Sequence, residues 1–182
     1  MYAATKKSAD KLKRAFFSLV EEKHYSKITV TELIGRADVS RTTFYRHYKD
    51  VYDMYDKICD EMLRDIVVGL VPSEGDKDYD LAAGFEFFCE KMIARKYYVG
   101  LLCGKNGGKK FFETGAAIAR DCILNGGSVL SDKELFALKF VAFSCISTYV
   151  KCVIEGSEFE RKNILMYKKI LADAQKAGVN ND

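Results

Sequence analysis

Between Val39 and Lys49 the chain reads V-S-R-T-T-F-Y-R-H-Y-K, and Arg41, Arg46, His47 and Lys49 are joined there by the hydroxyls of Thr42, Thr43 and Tyr45. No Asp or Glu interrupts the run. Such a set is suited to holding anions rather than to making or breaking bonds. Arginine presents two parallel N–H groups that match O6 and N7 of guanine. Threonine can bond a base edge or press its methyl against that of thymine, and Tyr, His and Lys donate to phosphate. The residue types assign Arg41 and Thr42 to base edges and Thr43, Tyr45, His47 and Lys49 chiefly to phosphate, with Arg46 able to do either. A basic face alone is more often only a solvated one, so the frame that presents these residues decides the matter.

That frame is legible on both sides. Val30, Leu33, Ile34 and Ala37 fall at i, i+3, i+4 and i+7, the inward stripe of a short helix. Asp38 follows, a residue whose short side chain tolerates left-handed backbone, and Val39 plugs the corner. Ser40 offers its hydroxyl as N-cap to a second helix over Arg41 to Tyr48. On that helix Phe44 and Tyr48 are four apart and point inward, which leaves Arg41 with Tyr45, and Thr42 with Arg46, on the outer face. Two short helices joined by a turn of about three residues make a helix-turn-helix. Thr29 and Thr31 begin the first of them and are placed for backbone phosphates.

At these residues the chain resembles the tetracycline-repressor (TetR) family of bacterial regulators. The family signature runs approximately T-V-x-x-I-A-x-x-A-G-V-S-x-x-T-F-Y-x-x-F-x-x-K, matched here by Thr29-Val30, Leu33, Ala37, Val39-Ser40 and Thr43-Phe44-Tyr45. The likeness covers roughly the first third of the chain. It departs from the signature at Asp38, where the family has Gly, and at Val51, where it has a phosphate-contacting Lys; that contact is not carried over. The resemblance implies a repressor that binds double-stranded DNA as a homodimer and is released when a small-molecule effector shifts its two heads.

Composition agrees with such a division of labour. Residues 1–50 carry 11 Lys and Arg against 6 Asp and Glu, whereas residues 51–182 carry 18 against 20, so a basic head precedes a slightly acidic body. With 182 residues, 48% of them apolar, and a single Pro, the chain can bury a real core. It lacks an eighteen-residue apolar run and an apolar signal-peptide core, so a cytoplasmic protein without a membrane partner is expected. Cys59, Cys89, Cys103, Cys122, Cys145 and Cys152 form no C-x-x-C pair and read as small buried hydrophobes. His24 and His47 lie near no cysteine in sequence, so neither a metal site nor a cofactor is expected. No nucleophile, acid and base converge, and an enzyme is not expected either. The run Gly104-Lys105-Asn106-Gly107-Gly108-Lys109-Lys110 fails the phosphate-loop spacing, with Cys103 and Lys110 where Gly and Ser or Thr belong, and reads as an exposed turn.

The remaining elements are all helical in pattern, giving an all-α chain of about nine helices with a head over residues 1–49 and a body over 50–182. Ala9, Leu12, Phe16, Leu19 and Val20 stripe a first helix. Apolar spacing from Val51 to Leu70 marks a long fourth one, followed by a polar loop at residues 73–78. In the body, Phe85, Phe88, Met92, Tyr98, Phe112 and Cys122 are candidates to line an apolar pocket for a hydrophobic effector. Gly126 and Gly127 stop a helix, and Ser157 with Glu160 fits a capping box. From Asp132 to Glu155 both faces are apolar. Leu135, Leu138, Ala142, Cys145, Tyr149 and Cys152 form a coiled-coil-like seam that Ile164, Tyr167 and Leu171 repeat in the last helix, while Phe136, Phe140, Phe143, Ile146, Val150 and Ile154 line the other side. A helix apolar on two sides needs two covers. The seam is expected to meet a second copy of the chain in a four-helix interface, the alternative being packing within its own chain.

Overall fold

The expected all-helical architecture is what the computed structural model shows. Its described residues are 2–67, 70, 78–108, 111, 113–115, 117–118, 121, 130–155, 157 and 161–179, and none of these lies in a strand. In order they form α1 (Tyr2–Glu22), a 3₁₀ turn (Tyr25–Lys27), α2 (Val30–Ala37), α3 (Arg41–His47), α4 (Val51–Val67), α5 (Leu81–Ala94), α6 (Lys96–Cys103), α7 (Asp132–Glu155) and α8 (Arg161–Val179). Residues 111, 113–115, 117–118 and 121 are helical as well, which makes about nine α-helices among the described residues. The expected features at residues 73–77, 126–127 and 158–160, the pocket candidates Phe112 and Cys122, and the side chains of Val150 and Ile154 lie outside the described residues.

The chain divides into two compact units, Met1–Met62 with Tyr97–Thr114, and Leu63–Lys96 with Gly115–Asp182. The first thus reaches past residue 49, because α4 and α6 share its core. Leu12, Phe16, Leu19 and Val20 of α1 are buried together with Leu33, Ala37, Phe44, Tyr48, Met54, Tyr55, Ile58, Val99 and Leu102. Each fully buried ring or leucine in such a core contributes about 1.5–3 kcal/mol over leaving it exposed.

The glycine-rich run after α6 is not the exposed turn its composition suggests. The Asn106 side-chain amide donates to Val20 O at 2.8 Å, the Asn106 main-chain carbonyl accepts from the Tyr25 N–H at 2.9 Å, and Gly107 is buried. The Tyr55 hydroxyl donates to Leu102 O at 2.9 Å and accepts from the Gly108 N–H at 3.0 Å, while the Tyr55 ring stacks on Tyr25 with centroids 4.2 Å apart. The missing side chain at Gly107 is what permits this close docking, since a Cβ there would sit 1.9 Å from Leu102 O.

In the second unit α8 packs on both α7 and α5. The seam expected to meet a second copy is instead largely covered by its own chain. Leu138, Ala142, Cys145 and Tyr149, and on α8 Ile164, Tyr167 and Leu171, are buried by their own chain, with Leu135 and Cys152 half-buried. The seam meets α5: the Tyr149 hydroxyl donates to Met92 O, Cys89 Sγ lies 3.7 Å from Cys145 Sγ, and Tyr167 meets Phe85 edge-on at 5.9 Å. Apart from the half-buried Leu135 and Cys152, these residues are core of their own chain. On the other side of α7, Phe136, Phe140 and Phe143 are exposed by 72%, 60% and 76%, with Ile146 half-buried, and α8 adds exposed Leu165, Met166 and Ile170.

Candidate nucleic-acid interface

The turn that aims α3 is built as its residue types require. Asp38 is left-handed, with φ 51° and ψ 59°, and no other non-glycine among the described residues has a positive φ. Its N–H donates to Ile34 O, closing α2, and the next N–H, of Val39, does the same at 3.2 Å. Ser40 then accepts the Thr43 N–H at 3.1 Å, starting α3. Phe44 and Tyr48 are buried, as their spacing predicts, and burial chiefly, helped by Glu61, Asp53 and Asp10, pushes the Tyr48 hydroxyl up to about 12.

With the inner face fixed, the outer one stands in solvent. Arg41, Thr42, Tyr45, Arg46 and Lys49 are exposed, and Tyr45 rests edge-on against Phe44 with centroids 5.4 Å apart. Thr43 is half-buried, its hydroxyl 2.9 Å from that of Ser40. His47 is also half-buried, and its Nε2 lies 2.9 Å from Ser8 Oγ on α1. Burial first, then the positive charges of Arg46 and Lys57, lower its affinity for a proton. His47 is thus partly engaged in joining α3 to α1.

Thr29, the N-cap of α2, and Thr31, its second residue, both bond within the protein. Thr29 Oγ1 accepts the Glu32 N–H at 3.2 Å and donates to Glu32 Oε2 at 2.8 Å, and Oε2 accepts the Thr29 N–H at 2.9 Å, a complete capping box. The signal was present in the sequence as T-x-x-E. Thr31 Oγ1 accepts from Arg41 Nη2 at 2.9 Å, so residues ten apart in sequence meet on the exposed side of α2 and α3.

Acids beside this surface are mostly held by bases. Glu32 pairs with Lys23 and Glu22 with Arg36, and Lys11 Nζ lies 3.6 Å from the Asp38 carboxylate. Lys57, a residue not singled out from sequence, donates to His47 O at 3.0 Å at the C-terminal end of α3 while pairing with Asp53 at 2.9 Å. Its role depends on α4 folding back beside α3, which no local spacing announces.

No protein-family model and no curated protein matches this chain. The likeness to the tetracycline-repressor family accordingly rests on the motif residues quoted above. The described effector candidates are divided between the two units. Phe85, Phe88 and Met92 are core of the second unit, whereas Tyr98 belongs to the first and packs on Phe17 at 4.7 Å. Among the described residues no helix is long and apolar enough to cross a membrane.

Proposed function

We propose that this chain is a cytoplasmic, DNA-binding transcriptional regulator of the tetracycline-repressor type, acting as a repressor that grips a near-palindromic operator as a homodimer. The observation that carries the reading is the acid-free outer face of α3, where Arg41, Thr42, Tyr45 and Arg46 are all exposed on a helix whose inner face is buried and whose entry is set by Asp38 and Ser40. A recognition helix of this length reaches only a few base pairs, so two heads related by a two-fold axis are needed for a specific site. The bare apolar face of α7, with Leu165, Met166 and Ile170 of α8, supports self-association, because exposed rings in such number are unfavourable in water unless a second copy covers them.

Fluorescence anisotropy of the full chain with duplexes from its own upstream DNA tests this. Binding should weaken steeply with salt, Arg41→Ala should cost about 1–3 kcal/mol on the operator and relax base preference, and Lys49→Ala should weaken all duplexes alike. A monomer that ignores those duplexes in dilute buffer would end the proposal.

For the body, release by a small hydrophobic effector competes with recruitment of a protein partner while the head is tethered to DNA. The second reading is supported by the packing of Phe85 and Phe88 against each other and of Phe85 against Tyr167, which makes these candidates core of their own unit. A metabolite panel that raises the melting temperature would restore the effector reading.

A further inference from the structure

The bond between Arg41 and Thr31 links two exposed side chains on the outer face of the helix-turn-helix and engages a residue assigned to base edges. We infer that Thr31 is a positioning residue for Arg41, fixing where the guanidinium enters the groove and so which base pair of the half-site must present a guanine. This deepens the DNA-binding reading above and rests on it.

The chemistry of the guanidinium makes the link compatible with base reading. Arginine has two edges that can donate two parallel N–H bonds, one formed by Nε with Nη2 and the other by Nη1 with Nη2. Nη2 carries two hydrogens, one belonging to each edge. Whichever of them Thr31 accepts, the other edge keeps both of its hydrogens and can still pair with O6 and N7 of guanine. The tether therefore removes freedom without removing recognition. A long, exposed side chain otherwise has to be ordered when it binds, a cost that lowers affinity only where the contact is made.

Arg41 is the first residue of α3 and Thr31 the second of α2, so the link also spans the turn set by Asp38. The alternative role for Thr31, donation to a backbone phosphate, makes a different prediction. Loss of a phosphate contact weakens all sequences alike, whereas loss of positioning weakens the preferred sequence most.

The test uses the full chain and a random-sequence duplex pool, followed by every single-base-pair variant of the enriched duplex. The wild type should enrich a sequence in which one base pair loses its guanine preference when Arg41 is replaced by Ala. At that base pair Thr31→Val, which keeps the shape and removes the hydroxyl, should reduce the preference roughly two- to tenfold. Thr31→Ser, which restores the hydroxyl, should recover it, with melting temperatures unchanged in both. An unaltered profile in Thr31→Val, equal weakening on every duplex, failure of Ser to rescue, or an Arg41→Ala profile identical to wild type would each overturn the inference while leaving DNA binding intact. A wild-type chain that enriches nothing would overturn the DNA-binding reading itself, and this inference with it.

Discussion

The two compact units use their apolar residues differently. In the first, the apolar stripes of α1, α2 and α3 are narrow and mostly buried, and polar groups do the aiming: the Thr29–Glu32 box, the Asp38 turn, the Ser40 cap and the Lys57 bond to His47 O. In the second, α7 carries more apolar surface than its own chain covers, so one face is core and the other is left bare. A narrow stripe specifies its partner; a helix apolar on two sides specifies only that two partners exist.

The sharpest way to break this comparison is to cut into each face of α7 in turn. Leu138 is fully buried, and Leu138→Ala should destabilise the chain by about 2–5 kcal/mol in urea melts, through lost burial and the cavity left behind. Phe143→Glu removes a larger side chain, yet one exposed by 76%, and should leave the helical circular dichroism intact while shifting sedimentation from dimer toward monomer. If Leu138→Ala proved mild and Phe143→Glu unfolded the chain, the assignment of the two faces would have to be exchanged.

This contrast also explains what could be read from the sequence and what could not. The helix-turn-helix was legible almost residue by residue, because Val30, Leu33, Ala37, Phe44 and Tyr48 repeat with helical period and Asp38 and Ser40 are turn and cap residues with local mechanisms. The seam of α7 and α8 is legible, but its orientation is not: periodicity counts faces without saying which one the chain covers, and here α5 meets Cys145 and Tyr149. The docking of Asn106 and Gly108 on Val20, Tyr25 and Tyr55 was hidden for another reason, since glycine-rich composition describes a turn equally well whether it is solvated or held by residues 50 to 90 positions away. From sequence Thr31 reads as a phosphate contact, because its meeting with Arg41 exists only once the turn has formed.

The turn itself gives the next largest effect. Asp38 sits at φ 51°, where a β-branched side chain collides with its own backbone. Asp38→Val should cost about 1–2 kcal/mol of stability, whereas Asp38→Gly should be near neutral or stabilising, because glycine occupies the left-handed region without penalty. Differential scanning calorimetry of the two variants reads this directly. Equal loss in both would mean that the Asp38 carboxylate near Lys11, and not the backbone shape, matters at this position.

The smallest effect concerns the polar frame of the first unit. The Lys23 ammonium above all, then the Thr29 N–H and hydroxyl, hold the Glu32 carboxyl down at about 2, below its ordinary 4.5. In the unfolded chain Glu32 takes up its proton near 4.5, so between that pH and about 2 the unfolded state binds more protons than the folded one, and stability falls as the solution is acidified. The contribution is complete above pH 4.5 and gone once the pH has dropped through about 2. Glu32→Gln keeps an acceptor for the Thr29 N–H but cannot ionise, so it should be less stable than wild type at pH 7 and indistinguishable from it near pH 2. Hydrogen exchange at several pH values would locate the effect in the amides of α2 and α3. If protection along α7 fell in step with theirs, Glu32 would not be its source, and the capping box would be only one of many exposed contacts that contribute little.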